Sequence, residues 1–345
     1  MKKKILIALT TIICVVLALF LLQRLLEPKY DEGVVEGSLV AEYYEEENKD
    51  FDVIFVGDCE VYENFSPVEL WKEYGINSYI RGSAEQYIFQ SYYLLEDTLR
   101  YHKPQVAVFN IQSLQFGKAQ SEAYNRMSLE GMKWSKSKVD AINASMTEEE
   151  DFITYVFPIL RYHSRFSELS GSDIKYMFSR KHIAHNGYFM RIDVKPAENV
   201  PEGRPLGNYD FDENAWKYLD MMVELCKEND IQLIFIKAPS LYPYWYDEYD
   251  KQVVEYASSH DIPYINFLRI QDKTGIDYTT DTYDGGLHMN LSGATKLSHY
   301  FGGILSDEYG VPDRRNDDEL NAIWDKKIEN YNAEIEEQKI KYGIE

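Results

Sequence analysis

Residues 52–60 read Asp-Val-Ile-Phe-Val-Gly-Asp-Cys-Glu, an apolar run stopped by Gly57 and followed at once by acid, thiol and acid. A short run without polar alternation reads as a strand buried on both faces of a sheet. Gln105–Ile111 (QVAVFNI) and Ile231–Ile236 (IQLIFI) have the same character. Between them lie helix signals. Ser66-Pro67-Val68-Glu69 is a capping box with proline at the first helical position, and Ser83 to Gln86 offers a second box. Tyr79–Arg81 fits a short second strand, Gln86–His102 a crossover helix, Tyr249–Ser258 another helix and Pro263–Phe267 a final strand. Strands and helices alternating in this way predict an α/β domain: three layers, α/β/α, around a mostly parallel sheet.

Outward from this core, the N-terminus carries Ile5 to Leu22, 18 residues without a charge, just long enough as a helix to cross a hydrocarbon core. Lys2, Lys3 and Lys4 precede it, which places the N-terminus inside and the bulk of the chain outside the cell membrane, as a single-pass protein. The run ends in Leu-Leu-Gln-Arg-Leu-Leu-Glu-Pro, without the small-residue pattern of a signal cleavage site, so residues 1–30 read as an uncleaved anchor. At the other end, Leu320, Ile323, Trp324, Ile328, Tyr331 and Ile335 recur at helical spacing within 311–345, an amphipathic helix expected to lie on the main domain. The α/β domain is then 31–111 together with 211–310, and 112–210 interrupts it as a helical insertion or lid, one helix of which is expected to open at the Thr147–Glu150 box.

Composition excludes several functions. Thirty-six basic against 58 acidic residues give a net charge of −22, which opposes binding to a phosphate backbone, and no nucleic-acid partner is expected. Twenty-nine tyrosines within 14% aromatic content rule out a disordered polymer. The cysteines, Cys14, Cys59 and Cys226, form neither a disulfide framework nor a zinc spacing. Cys14 lies in the apolar span. Cys226 shares a buried stripe with Trp216, Leu219 and Val223 on a helix ending near Asn229. His182 and His185 sit three apart without a matching carboxylate or thiolate, so no metal is assigned, and no cofactor is predicted. Arg161, Arg165, Lys175, Arg180 and Lys181 outnumber Glu168 and Asp173 nearby and suggest a place for an anion, or a solvated helix surface.

The chemistry concentrates at two points. Cys59 follows the first strand, at the edge where parallel sheets bind ligands. Far downstream, Tyr283-Asp284-Gly285-Gly286-Leu287-His288-Met289-Asn290 is a glycine-containing loop that opens a helix near Ser292. If the two meet, His288 takes the proton of Cys59, and an acid, Asp284 or Asp281, orients the ring.

These residues resemble the SGNH/GDSL hydrolases, in which the first strand ends in Gly-Asp-Ser and the last helix follows an Asp-x-x-His loop. Gly57-Asp58-Cys59 stands at the nucleophile block, Gly82 at the oxyanion-glycine block, Asp284 and His288 at the last block, and Gly293 in the helix that follows. The likeness covers roughly 50–110 and 230–308. It implies a flavodoxin-like sheet and a Cys59–His288–Asp284 triad, with oxyanion donors from the backbone of Cys59 and Gly82 and, at the end of the third strand, Asn110. Within that superfamily the anchored build is most similar to bacterial surface members related to the D-alanyl transfer protein and to polysaccharide O-acetyltransferases. Three departures stand out: cysteine replaces serine, the acid precedes His288 by four residues rather than three, and the Gly-x-Asn-Asp block is missing. The resemblance therefore implies either an extracytoplasmic esterase or acyltransferase acting on acyl esters of cell-envelope polymers, or a catalytically degenerate module serving a membrane acyltransferase or envelope polymer.

Overall fold

A computed structural model describes residues 2–28, 37–178 and 182–344. Arg180 and Lys181 of the basic group lie outside the described residues. Five strands, β1 (Val53–Gly57), β2 (Ser78–Gly82), β3 (Val106–Asn110), β4 (Gln232–Lys237) and β5 (Tyr264–Asn266), form one sheet in the order β2-β1-β3-β4-β5. Every pairing is parallel, with Gly57 opposite Gly82. The helices used below are α1 (Lys2–Leu26), α2 (Pro67–Tyr74), α3 (Ile88–Thr98), α4 (Glu213–Glu228), α5 (Asp247–Ser259), α6 (Leu291–Asp307) and α7 (Asp318–Tyr342).

The strand pleat sorts side chains between two cores. Ile54, Val56, Ala107, Phe109 and Phe235 pack with Leu94 of α3, Leu219 and Cys226 of α4 and Val253 of α5. Their neighbours Val53, Phe55, Val106, Val108 and Ile234 point the other way, to Leu70 of α2, Leu297 and Phe301 of α6 and Trp324 of α7. This is the α/β/α sandwich with helices on both faces, as the alternation predicts.

Local chemistry sets the element ends. The Ser66 hydroxyl accepts from the Glu69 N–H at 3.4 Å, Pro67 opens α2, and Gly75 ends it in a left-handed conformation, φ 69°. Two other boxes do not open helices. Ser83 donates to Gln86 and contacts Ser128, inside a buried polar group, and α3 begins only after Tyr87. Glu150 accepts from the Thr147 N–H at 2.8 Å but also from Asn125 and Tyr155, and its helix begins at Phe152. In both cases tertiary partners take the side chains that a local box would use.

Helix α7 lies on the α2 side. Trp324 stacks on Trp71 with ring centres 5.0 Å apart and 7° between planes, and its N–H donates to Asn77 at 3.1 Å. Helix α1 is 25 residues, long and apolar enough to cross a membrane as a span or to serve as a signal sequence, and its apolar window is unburied. Between β3 and α4 come a 3-10 turn, helices Glu122–Leu129 and Lys136–Ser145, shorter helices through Tyr176, and an irregular run over 182–212. Part of that run crosses the loop before α6: Lys195 donates its N–H to Thr282 O, and Leu291 to Arg191 O.

Candidate active site

The candidate residues stand at the C-terminal ends of β1, β2, β3 and β4, where the strand order reverses between β1 and β3, the place at which open parallel sheets bind ligands. After Gly57 the chain turns directly into a short helix, Cys59–Tyr62, capped by the Asp58 carboxylate accepting the Glu60 N–H at 3.2 Å. Cys59 is its first residue. Cys59 as a residue is half-buried. Burial pushes its pKa up to about 12, against the downward pull of His288, so Cys59 rests as a thiol.

The second half is the loop before α6. His288 Nδ1 lies 2.7 Å from Asp284 Oδ2, and Asp284 Oδ1 accepts the backbone N–H of His288 at 2.9 Å and of Leu287 at 3.1 Å. Burial raises the Asp284 carboxyl, but these hydrogen bonds hold it below its ordinary value, so it is ionised and Nδ1 carries the proton. The other ring nitrogen, Nε2, is buried and has no hydrogen-bond partner among the described residues. Burial disfavours the imidazolium, yet Cys59, Asp284 and Glu63 together hold the His288 pKa well above its usual value. Asp281 is engaged elsewhere: it accepts from Lys296 at 2.6 Å and from the Asp277 N–H at 2.7 Å.

The structure thus brings Cys59, His288 and Asp284 together and turns Asp281 away. The four-residue spacing of Asp284 and His288 is absorbed by Gly285 and Gly286, both left-handed at φ 90° and 103°, conformations that L side chains rarely adopt. Gly293 is required by proximity, since a Cβ there would stand 2.5 Å from Asp281 O. Gly82 stands beside Gly57 at the end of β2.

Asn110 is placed at the edge but is fully engaged. Its amide donates to Asp58 Oδ1 and Glu60 Oε2, both at 3.0 Å, and its oxygen accepts the Ala238 N–H at 3.1 Å. Both hydrogens are taken, so Asn110 has no N–H left for an oxyanion. It ties β1, β3 and β4 together. Lys237, 1% exposed at the end of β4, completes this group by donating to Glu60 at 2.8 and 2.6 Å. Burial and the neighbouring Glu60 raise the Asp58 pKa.

Several contributors escape sequence reading. Glu63 lies 3.7 Å from His288 Nδ1 and accepts a hydrogen bond from Tyr283. The Tyr283 ring lies nearly parallel to that of His288, centres 6.3 Å apart, beneath Arg191 at 4.3 Å. Asn64 accepts the Met289 N–H at 2.9 Å and donates to Pro239 O at 3.1 Å, clamping the His288 loop to the segment after β4. The acids so close to Cys59 in sequence were visible, but nothing local distinguishes Glu63 from Glu60; only the fold sends one toward His288 and the other toward Lys237.

The basic group has internal partners. Arg161 pairs with Glu122 at 2.8 Å and Arg165 with Asp173 at 3.3 Å, so these two do not form an open anion cradle. His182 lies 3.8 Å from Glu42, and His185 pairs with Glu334 at 2.8 Å. An open groove of about 910 Å³ runs between residues 182–191 and α7; none of Cys59, Asp284 and His288 lines it.

No family model matches the sequence, and no curated protein matches it. Among solved structures, the chain is similar to a candidate acylhydrolase from Bacteroides fragilis, at 14% identity and a TM-score of 0.36, over 78% of this chain and 94% of that one. It is similar also to a GDSL-like lipase from Bacteroides thetaiotaomicron, at 13% identity and a TM-score of 0.34, over 74% and 88% of the two chains.

Proposed function

We propose that the protein is a membrane-tethered, extracytoplasmic esterase or acyltransferase of SGNH type that uses Cys59 as nucleophile, His288 as general base and acid, and Asp284 to orient the ring. The observation that carries this reading is the His288 imidazole: Asp284 holds one nitrogen at 2.7 Å, and the other is buried, unpartnered and within the electrostatic reach of Cys59. Most buried polar side-chain atoms are hydrogen-bonded within a fold, and a nitrogen left open beside a thiol is one that can take its proton.

In the reaction, Nε2 takes the thiol proton as sulfur attacks an acyl carbonyl; the C–S bond forms, the C–O bond to the leaving alkoxide breaks, and the imidazolium returns the proton to that oxygen. The acyl-thioester then passes to water, or to an acceptor hydroxyl whose proton Nε2 removes, and the thiol is restored. Because Cys59 rests protonated, His288 must act in the attack itself. The backbone N–H groups of Cys59 and Gly82 are the proposed oxyanion donors, and Asn110 positions strand ends rather than donating. The substrates are acyl esters of cell-envelope polymers, reached from the tether; residues 31–111 with 211–310 form the catalytic domain, 112–210 its insertion, and 311–345 a brace.

A second reading, an accessory module for a membrane acyltransferase or envelope polymer, draws on the high pKa that burial gives the thiol. One experiment separates them. Full-length protein in detergent is mixed with an activated acyl ester, and turnover and acyl mass on Cys59 are followed. The enzyme reading expects both, and their joint loss in a folded His288→Ala variant. Turnover that survives in Cys59→Ala would sink the assigned nucleophile, and absence of any acyl adduct on the native protein would favour the accessory module.

A further inference from the structure

The last turn of α1 is the only part of that helix with buried surface: Leu26 is buried and Gln23 to Leu25 are partly covered, whereas the residues before them are exposed. What covers it is the run of short helices between residues 152 and 178. Arg24 donates to Met177 O at 2.5 Å, and Arg165 reaches back to Leu26 O at 2.7 Å. If α1 spans the bilayer with Ile5 to Leu22 in the hydrocarbon, Gln23 to Leu26 lie at its outer boundary, and the segment holding them is fixed at the same depth.

That segment is dressed for such a place. Ile153, Phe157, Leu160, Phe166, Ile174 and Phe178 are all exposed, with Phe166 at 72% and Phe178 at 77%. Among the phenylalanines of the described residues outside α1, only Phe157, Phe166 and Phe178 are exposed. Elsewhere on the domain exposed apolar residues are scattered, as on ordinary soluble surfaces. Here they recur on consecutive short helices, and the neighbouring guanidinium groups are neutralised by Glu122 and Asp173, which lowers the cost of lying against lipid.

We infer that residues 152–178 form a lipid-docking face, with Phe157, Phe166, Ile174 and Phe178 entering the outer boundary of the bilayer that α1 crosses. The inference rests on the proposed anchor and goes beyond it: the domain is held against the membrane at two places, by its tether and by this face. The occupant is the lipid surface itself, because the face continues directly from the exit point of the tether.

Phe166→Trp and Phe178→Trp, made separately in the full chain and reconstituted in phosphatidylcholine vesicles with or without brominated acyl chains, test this. The added indoles are expected to lie ~5–10 Å into the headgroup and acyl boundary and to lose emission to the brominated lipid relative to the parent protein. Val254→Trp, at a 50% exposed position on α5, is expected to lose none. Alkaline carbonate extraction of membranes, with N-terminal sequencing of the retained protein, reports the anchor separately. If the intact chain resists extraction but the indoles at 166 and 178 are unquenched, the docking face is overturned and the anchor stands. If the mature protein begins after residue 26, the anchor reading fails and the docking face falls with it.

Discussion

In the proposed reaction His288 is the residue on which the chemistry turns, because its two nitrogens have different fates. Asp284→Asn keeps the shape of the carboxylate but no longer fixes the Nδ1–H tautomer; kcat is expected to fall about 10²–10⁴-fold, read with an activated ester under saturating substrate. The pH profile follows from the shared protons of Cys59 and His288. At low pH the pair holds a thiol and an imidazolium, and the reactive form has lost one proton. Because the imidazolium is favoured and the thiol is held up to about 12, that proton leaves only above the ordinary histidine range, so kcat/KM is expected to climb with pH above about 6.5. Removing the Asp284 charge withdraws support from the imidazolium and should move this rising limb to lower pH even as the rate drops. A limb that stays in place would show that Asp284 does not act on the ring. Of the candidate residues, Cys59, His288 and Asp284 could be singled out from the sequence because glycines and element ends mark them. Glu63, Tyr283 and Asn64 could not, since an acid, a phenol and an amide in ordinary context carry no local sign of the ring or loop they will touch.

Among the elements, two are tuned to present these side chains. The loop before α6 depends on Gly286, at φ 103°, where an added Cβ would also stand 3.1 Å from Ala197 and Leu241. Gly286→Ala is expected to cost about 1–3 kcal/mol in denaturant unfolding and to depress turnover more than stability, because His288 moves with the loop. The ends of β1 and β4 are joined by the Glu60–Lys237 pair, at 5% and 1% side-chain exposure. Lys237→Met strands a buried carboxylate and is expected to destabilise by about 3–5 kcal/mol, whereas Glu60→Gln combined with Lys237→Met should recover a large part of that loss. Equal destabilisation of the single and double variants would show that the pair does not act as a unit. The strands themselves were legible to within a residue or two at each end, from apolar runs alone. The capping boxes at Ser83 and Thr147 were misleading for a tertiary reason: Ser83 also bonds Ser128 and Glu150 also accepts from Asn125, far along the chain, and neither box starts a helix.

Across the whole molecule, distant parts of the chain close one body. Trp324, near the C-terminus, lies flat on Trp71 beside the first crossover, and its deletion in Trp324→Ala is expected to cost about 3–5 kcal/mol in global unfolding, without changing the pH dependence of activity. Unfolding of α7 alone, with the rest of the domain still cooperative, would show instead that the helix is an appendage. The order of strands and helices, the apolar N-terminal helix, the buried stripe bearing Cys226 and the two points where chemistry collects were determined by the sequence itself, because periodicity and chain punctuation are local properties. Which acid faces His288, that Asn110 has no hydrogen to spare, that Lys237 neutralises Glu60, and that the helices at 152–178 meet the end of α1 were decided only by the tertiary structure. Each of these depends on a distance between residues far apart in the chain, and such distances arise only when the sheet and its layers have closed.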